Sequence, residues 1–125
     1  MNFTPVNNLE AELVSVRSGH VPMTSFLRLL CASDLYVPSA NEVGQDWSGL
    51  QPVIFDKEGV QMVACFTALE RIADASKLAP YCLTIRGGEF LRRIPHEFGL
   101  VVNPGHEVGF DVPPIGLRKI ISEFA

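Results

Sequence analysis

The sequence is short of charge and has no long apolar run. Charged residues make up 19% of its 125 residues, and the formal net charge is −4 with a pI near 5.3. Because general nucleic-acid binding needs a basic surface, this charge balance argues against that class of protein. No window approaches the roughly 20 apolar residues of a membrane-spanning helix, so we expect no membrane association.

Cysteine is also scarce. Cys31, Cys65 and Cys82 are widely spaced and form no C-x-x-C pair. An odd number of cysteines without that spacing favours reduced thiols over a disulfide framework. Each lies among apolar neighbours, so we expect buried, unreactive thiols. Residues 1–13 contain no apolar run of the secretory kind, which favours a cytoplasmic protein, although a dedicated secretion system could still export it.

Apolar residues, by contrast, suffice for one folded domain. They make up 47% of the chain, and a chain of this length buries roughly two-thirds of its unfolded surface. We therefore predict a single domain over residues 1–125. Its class is α+β, with a mixed β-sheet of about five strands and helices packed against it.

The spacing of apolar and capping residues predicts the individual elements. Asn7 precedes Glu10 by three residues, which is the spacing of a helix capping box. The predicted helices cover residues 7–17, 22–32, 67–75, 89–94 and 113–124. The predicted strands cover residues 34–38, 52–55, 60–66, 81–85 and 100–102, with a small additional strand at 109–112.

The segment Gly99–Gly105 combines a short apolar strand with an abrupt turn. Pro104 has no N–H to continue a strand, and Gly105 can adopt positive φ. We predict that Pro104 holds Asn103 extended and that the Asn103 side chain bonds to the turn backbone. Asn103, Pro104 and Gly105 should then matter for folding and not for activity.

Four segments together resemble the SseB N-terminal domain family. They are Leu35–Pro38, Pro52–Phe55, Val63–Thr67 with Glu70, and Gly99–Gly105. The pair Phe66-Thr67 and the Asn103-Pro104-Gly105 turn are the most specific pieces. The resemblance covers about residues 25–124 and implies a bacterial protein with a mixed sheet and no established catalytic residues. Several family members are linked by name to type III secretion or to serine sensitivity.

Two His-Glu pairs are the strongest candidates for metal binding or acid–base chemistry. His96-Glu97 and His106-Glu107 flank the Gly99–Val102 segment. Neither pair forms H-E-x-x-H, because residue 100 is leucine. Without a ligand spacing rule, solvated turns are the better interpretation, and we expect neither metal nor cofactor. Whether the two pairs meet in space stays open at this point.

A basic segment is a weaker candidate for a binding site. Arg86, Arg92 and Arg93 lie close in sequence, and Arg86 precedes Gly87-Gly88. A glycine pair before a helix is compatible with phosphate binding, but the P-loop lysine and G-x-G-x-x-G are both missing. We therefore predict a plain turn followed by a solvated helix face.

The only tryptophan lies in a polar segment of 13 residues, Ser39–Gln51. Trp47 either packs back over the sheet as a lid or projects as an anchor for a partner. Val43 and Leu50 lie near it in sequence and complete the predicted partner-binding set. The segment contains acidic residues but no Lys or Arg, which favours a basic protein partner.

These patterns predict a non-enzymatic protein-interaction module, an accessory of a bacterial secretion or toxin system. Its contact would be an exposed sheet edge or the Trp47 segment. The alternative is a small metal-dependent or small-molecule-binding enzyme that uses His96, Glu97, His106 and Glu107. The identity of the protein partner, the strand order and a possible homo-oligomer are left open by the sequence.

Overall fold

A computed structural model describes residues 3–72 and 79–125 of the chain. This part contains four α-helices, which are α1 (Asn8–Arg17), α2 (Met23–Ala32), α3 (Gly87–Arg93) and α4 (Pro114–Phe124). It contains six strands, which are β1 (Asp34–Ser39), β2 (Ile54–Lys57), β3 (Val60–Cys65), β4 (Tyr81–Arg86), β5 (Gly99–Val102) and β6 (Phe110–Val112). The predicted α+β class and mixed pairing are confirmed, although six strands form two sheets.

The larger sheet has the order β2-β3-β5-β6. β2 and β3 form an antiparallel hairpin, β3 pairs parallel to β5, and β6 adds antiparallel to β5. β1 and β4 form the second sheet. Isolated bridges join Tyr36 to Phe66 and Ser39 to Pro52. β1 therefore also pairs with the residue after β3 and with a residue shortly before β2. Within the described residues, β2 therefore lies at an outer edge with a strand on one side only.

One apolar core lies between the helices and these strands. The last four residues of β3 and nearly all of β5 are buried, and both stretches are apolar. The fully buried large side chains of the core are Phe26, Leu13, Leu30, Leu35, Leu91, Leu100 and Leu117. None of the helices in the described part of the chain has the length and apolar character needed to span a bilayer.

Local signals identified most elements to within two residues. The Asn7 side chain accepts a hydrogen bond from the backbone N–H of Glu10 at 2.9 Å and begins α1 as predicted. The predicted helix over residues 67–75 is the main error. Leu69–Ile72 form a single 3-10 turn, and residues 73–75 lie outside the described part of the chain.

The prediction for the cysteines is right at two positions and wrong at one. Cys31 and Cys65 are buried, whereas Cys82 is exposed on β4. Burial raises the pKa of the Cys65 thiol to about 12, which makes that thiol unreactive at neutral pH.

Candidate functional site

A charged side chain is buried where α1 meets the end of β3. Glu10 is 0% exposed. One carboxylate oxygen accepts from the Arg71 guanidinium at 2.7 Å and from the Val6 backbone N–H at 3.0 Å. The other accepts from the Thr67 hydroxyl at 2.5 Å and from Arg71 Nε at 2.9 Å. This two-point contact is the geometry in which arginine holds a carboxylate most strongly.

Asn103 joins the same cluster from the turn after β5. Its side-chain oxygen accepts from the Thr67 backbone N–H at 3.0 Å. Its amide group donates to the Thr67 hydroxyl at 2.9 Å and to the Val108 carbonyl at 3.2 Å. We call Glu10, Thr67, Arg71 and Asn103 the buried polar network. It ties together segments that are far apart in the sequence.

The backbone of Asn103 corrects the prediction for this turn. Its φ is +56°, in the left-handed region, so the prediction that Pro104 holds it extended is wrong. Asparagine tolerates this conformation better than most residues, and its buried hydrogen bonds to Thr67 offset the cost. Gly105 has φ of +82°, which confirms the predicted positive value.

The network also fastens the N-terminal segment. Asn7 donates a side-chain hydrogen bond to the Thr67 carbonyl at 2.9 Å. Arg71 donates to the Thr4 carbonyl at 2.6 Å, and its guanidinium lies 3.8 Å from the centre of the Phe3 ring. The residues before α1 are thus held near the end of β3 by hydrogen bonds from Asn7 and Arg71 and by the contact of Arg71 with the Phe3 ring.

Electrostatics explains why Glu10 is charged although it is buried. Burial alone would raise the pKa of its carboxyl group. Hydrogen bonds from Arg71, Thr67 and Val6, together with the Arg71 charge, outweigh burial and hold that pKa below its usual value. Each side-chain oxygen and nitrogen of Glu10, Thr67 and Asn103 has a hydrogen-bond partner. Such a network is suited to holding the fold together.

The two His-Glu pairs lie at opposite ends of β5. His96 and Glu97 are exposed before its first residue, and His106 follows the turn after its last. The His106 Nε2 atom lies 2.6 Å from the Arg71 carbonyl oxygen, and its ring packs edge-on against Phe66. Within residues 3–72 and 79–125, no three His, Cys, Asp or Glu side chains are grouped as a metal site requires.

The glycine pair after β4 serves helix packing. α3 begins at Gly87 itself, so the predicted plain turn is wrong here. A Cβ atom on Gly87 would lie 2.0 Å from the Leu30 carbonyl oxygen, closer than any real contact. Glycine is therefore required for α3 to approach α2.

The segment between β1 and β2 is a closed loop with an ordered interior. Its ends are joined by the backbone hydrogen bond from Ala40 to Gln51 at 2.9 Å. Gly44 donates to the Ser48 carbonyl at 2.9 Å, and Trp47 donates to the Gly44 carbonyl at 3.1 Å. These bonds hold Trp47 at φ of +71°, a value that bulky residues rarely adopt.

The indole of Trp47 combines features of a lid and of an anchor. The side chain is half-buried and packs against the core. The Arg93 guanidinium lies 4.2 Å from its ring centre, a cation–π contact. Leu50 is also half-buried and packs against the core, and Val43 is half-buried in the same loop.

An apolar cavity of about 250 Å³ adjoins this loop and the edge strand β2. Its lining residues are Leu50, Pro52, Ile54, Val63, Phe90, Arg93, Ile94, Pro95 and Phe98. Ile54 and Phe55 on β2 are each 40% exposed. Ile54 faces the cavity with its strand partner Val63, whereas Phe55 points to the other face of β2 at the same edge. We call Trp47, Leu50, Ile54 and Phe55 the recognition surface. The sequence predicted Trp47, Leu50 and an exposed sheet edge as contacts, but it did not identify Ile54 and Phe55 individually.

Comparison with known proteins gives one result. The model of the SseB protein N-terminal domain matches residues 9–119. The chain belongs to the SseB N-terminal domain family. No curated protein and no solved structure matches it. The match starts earlier than the predicted resemblance, at residue 9 and not near residue 25, so α1 and Glu10 are part of this SseB domain.

The SseB match thus covers every member of the buried polar network. Glu10 and Arg71 were not recognised from the sequence as partners. The capping-box spacing of Glu10 was its only local signal, and that spacing indicates a helix start without indicating a distant arginine.

Proposed function

We propose that this SseB domain is a protein-interaction module without catalytic chemistry and that it binds a protein partner through the recognition surface. The observation that carries the proposal is the exposed edge of β2 beside an apolar cavity. The proposed partner contributes an extended segment that pairs with β2 and inserts an apolar side chain into the cavity. This is the general mode of β-strand addition.

The edge of β2 supports this mode. Its four residues, Ile54–Lys57, are all exposed. Natural sheets usually protect such an edge with charge, a bulge or a covering element, since open N–H and C=O groups otherwise pair with another chain. Here the edge begins with Ile54 and Phe55, and charged residues follow only at Asp56 and Lys57.

The charge of the loop indicates the chemistry of the partner. Glu42 and Asp46 are exposed acidic residues within the loop, and the loop contains no Lys or Arg. Hydrogen bonds from the Ser48 side chain and backbone lower the pKa of Asp46, so it is ionised at neutral pH. A basic residue of the partner that meets the loop at Glu42 and Asp46, away from Arg93 in the cavity lining, would complement this field and speed association.

The satisfied buried polar network and the separation of the His-Glu pairs favour a binding role over the alternative metal-dependent or small-molecule-binding enzyme. Membership of the SseB domain family supports a bacterial origin. The proposed setting is the bacterial cytoplasm, in an accessory role of a secretion or toxin system. Val43 belongs to the proposed partner-binding set as a flank of the loop.

We expect Trp47→Ala to lower the free energy of unfolding by about 1 kcal/mol, because only part of the indole is buried. The same change should weaken partner binding by about 2 kcal/mol or more. In the wild type, acrylamide should quench the fluorescence of this single tryptophan readily. Chemical unfolding followed by circular dichroism, with fluorescence quenching on the wild type, measures stability and exposure without a known partner.

Ile115→Ala is the matched control, because Ile115 is 86% exposed on α4 and far from the loop in sequence. It should change neither stability nor binding. A stability loss near 3 kcal/mol in Trp47→Ala, together with a quencher-resistant indole, would show that Trp47 is a lid and would remove it from the proposed interface.

A further inference from the structure

A second cavity, of about 290 Å³, is lined by residues of α2, β4, α3 and α4 and collects positive charge. We call it the arginine cavity, because Arg28 of α2, Arg86 at the end of β4 and Arg92 of α3 all line it. The remaining lining residues are Cys31, Ala32, Gly88, Glu89 and Phe124. Three arginine side chains from three elements thus line one cavity in a chain whose formal net charge is −4.

The charges of these arginines are only weakly compensated by the protein. The Arg86 guanidinium lies 3.7 Å from the Asp34 carboxylate, and both side chains are more than half exposed. Arg28 contacts the Phe124 ring at 5.8 Å, and Arg92 donates to the main-chain oxygen of Ala125 at 3.0 Å. An exposed ion pair at such a distance neutralises little of the guanidinium field.

One acidic residue lines the cavity. The Glu89 carboxylate lies 3.4 Å from the Arg93 guanidinium, which is outside the cavity lining. When Asp34, which pairs with Arg86 from outside the lining, is counted, three positive and two negative charges leave an excess of one positive charge at the cavity. Like charges brought together in this way repel one another unless an anion joins them.

The cavity also has an apolar part, which we call its floor. Cys31, Ala32 and the Phe124 ring supply it. Burial raises the pKa of the Cys31 thiol, while the positive charge of Arg92 acts on the same thiol in the opposite direction. Arg92 therefore lies close to this floor, which offers a ligand an apolar contact beside the guanidinium groups.

We propose that the arginine cavity binds a phosphate-type oxyanion carried by a small phosphomonoester. The planar guanidinium fork matches two phosphate oxygens at once, which makes arginine the preferred residue for this group. The cavity volume lies just below the roughly 300–1,000 Å³ of typical small-molecule sites, enough for the phosphate and a small attached group. The site is independent of the recognition surface.

Titration of the ¹⁵N-labelled full chain with inorganic phosphate and with phenyl phosphate tests the proposal. The ionic strength is held near 0.1 M, where the Debye length is about 10 Å. Both ligands should shift the amide signals of residues 28, 31 and 92 and saturate within about 10 mM. Phenyl phosphate should bind more tightly than inorganic phosphate, because its ring contacts the apolar floor.

Arg92→Gln and Arg28→Gln should each weaken binding about tenfold, since each removes a charge-assisted contact. Both side chains are exposed, and circular dichroism checks that the variants fold. Arg17→Gln is the matched control: Arg17 is exposed and donates to the Gly109 carbonyl outside the cavity. It should leave the affinity unchanged.

Three outcomes would overturn the proposal. They are an absence of saturable shifts, shifts that chloride reproduces at equal ionic strength, and equal weakening by Arg17→Gln and Arg92→Gln. Equal affinity for phosphate and phenyl phosphate would instead identify free phosphate as the ligand and overturn the phosphomonoester assignment.

Discussion

Arg71→Leu is expected to lower the free energy of unfolding by about 3 kcal/mol, because removing one partner of a buried ion pair leaves the other charge buried without its partner. Glu10 is 0% exposed and takes two hydrogen bonds from Arg71. Without the guanidinium, Glu10 must either remain charged with only the Thr67 hydroxyl and the Val6 N–H as partners or take up a proton. Urea unfolding followed by circular dichroism measures the loss.

Arg17→Leu supplies the matched control, since Arg17 is exposed and donates one hydrogen bond to a main-chain carbonyl. It should cost less than about 1 kcal/mol. Equal losses in the two variants would show that the buried pair contributes no more than an ordinary surface arginine.

The dependence of stability on pH should reveal the contribution of the Glu10–Arg71 pair. The pKa of Glu10 is lower in the folded protein than its ordinary value of 4.5. A carboxyl group with a lowered folded-state pKa contributes stability that is fully present above the unfolded pKa and is lost as pH falls through the folded pKa. Wild-type stability should therefore decline below pH 4.5, whereas Glu10→Gln should lack this part of the decline.

Asn103→Ala is expected to cost about 2–3 kcal/mol, the second large effect. The change removes three side-chain hydrogen bonds and leaves the Thr67 backbone N–H and hydroxyl without this partner. Alanine also fits the left-handed backbone at φ of +56° less well than asparagine does. Equilibrium unfolding again provides the measurement.

Two neighbouring variants separate hydrogen bonding from backbone strain. Asn103→Gly removes the same hydrogen bonds but tolerates positive φ. Gly105→Val imposes strain alone, because a Cβ atom at Gly105 would meet nothing within 4 Å, and it should cost about 1 kcal/mol. If Asn103→Gly were as stable as the wild type, the hydrogen bonds to Thr67 would not be what stabilises the turn.

Local chemistry was sufficient to predict most of the elements of this fold. The β2–β3 hairpin follows from apolar runs around a turn, and α1 follows from Asn7 as its N-cap. α4 follows from Pro114 at its start and apolar residues at helical spacing. In each case the determining contacts lie within a few residues of one another, so a single sequence contains them.

The buried polar network shows where such reasoning fails. Glu10 and Arg71 are 61 residues apart, and Thr67 and Asn103 are 36 apart. No local pattern relates these positions. The left-handed backbone of Asn103 arises from the same long-range bonds, which override the extended preference that a following proline imposes.

The recognition surface and the arginine cavity could not be predicted in full from the sequence for the same reason. Trp47 could be singled out by composition, but its neighbour Arg93 and the exposed side of Ile54 depend on tertiary packing. Arg86 and Arg92 are close in sequence, whereas Arg28 joins them only because α2 packs against α3.

Site-specific photo-crosslinking tests the proposed interface most directly. A benzoylphenylalanine replaces Phe55, which is 40% exposed at the edge of β2, in the full chain within its native cells. The control carries the same residue at Ile115, which is 86% exposed on α4. Adducts formed on illumination are identified by mass spectrometry, with and without Trp47→Ala.

The recognition surface predicts one protein adduct from position 55 that is missing from position 115 and is strongly reduced by Trp47→Ala. The absence of an adduct at position 55, or the same adducts at both positions, would contradict the assignment of this surface as the binding site.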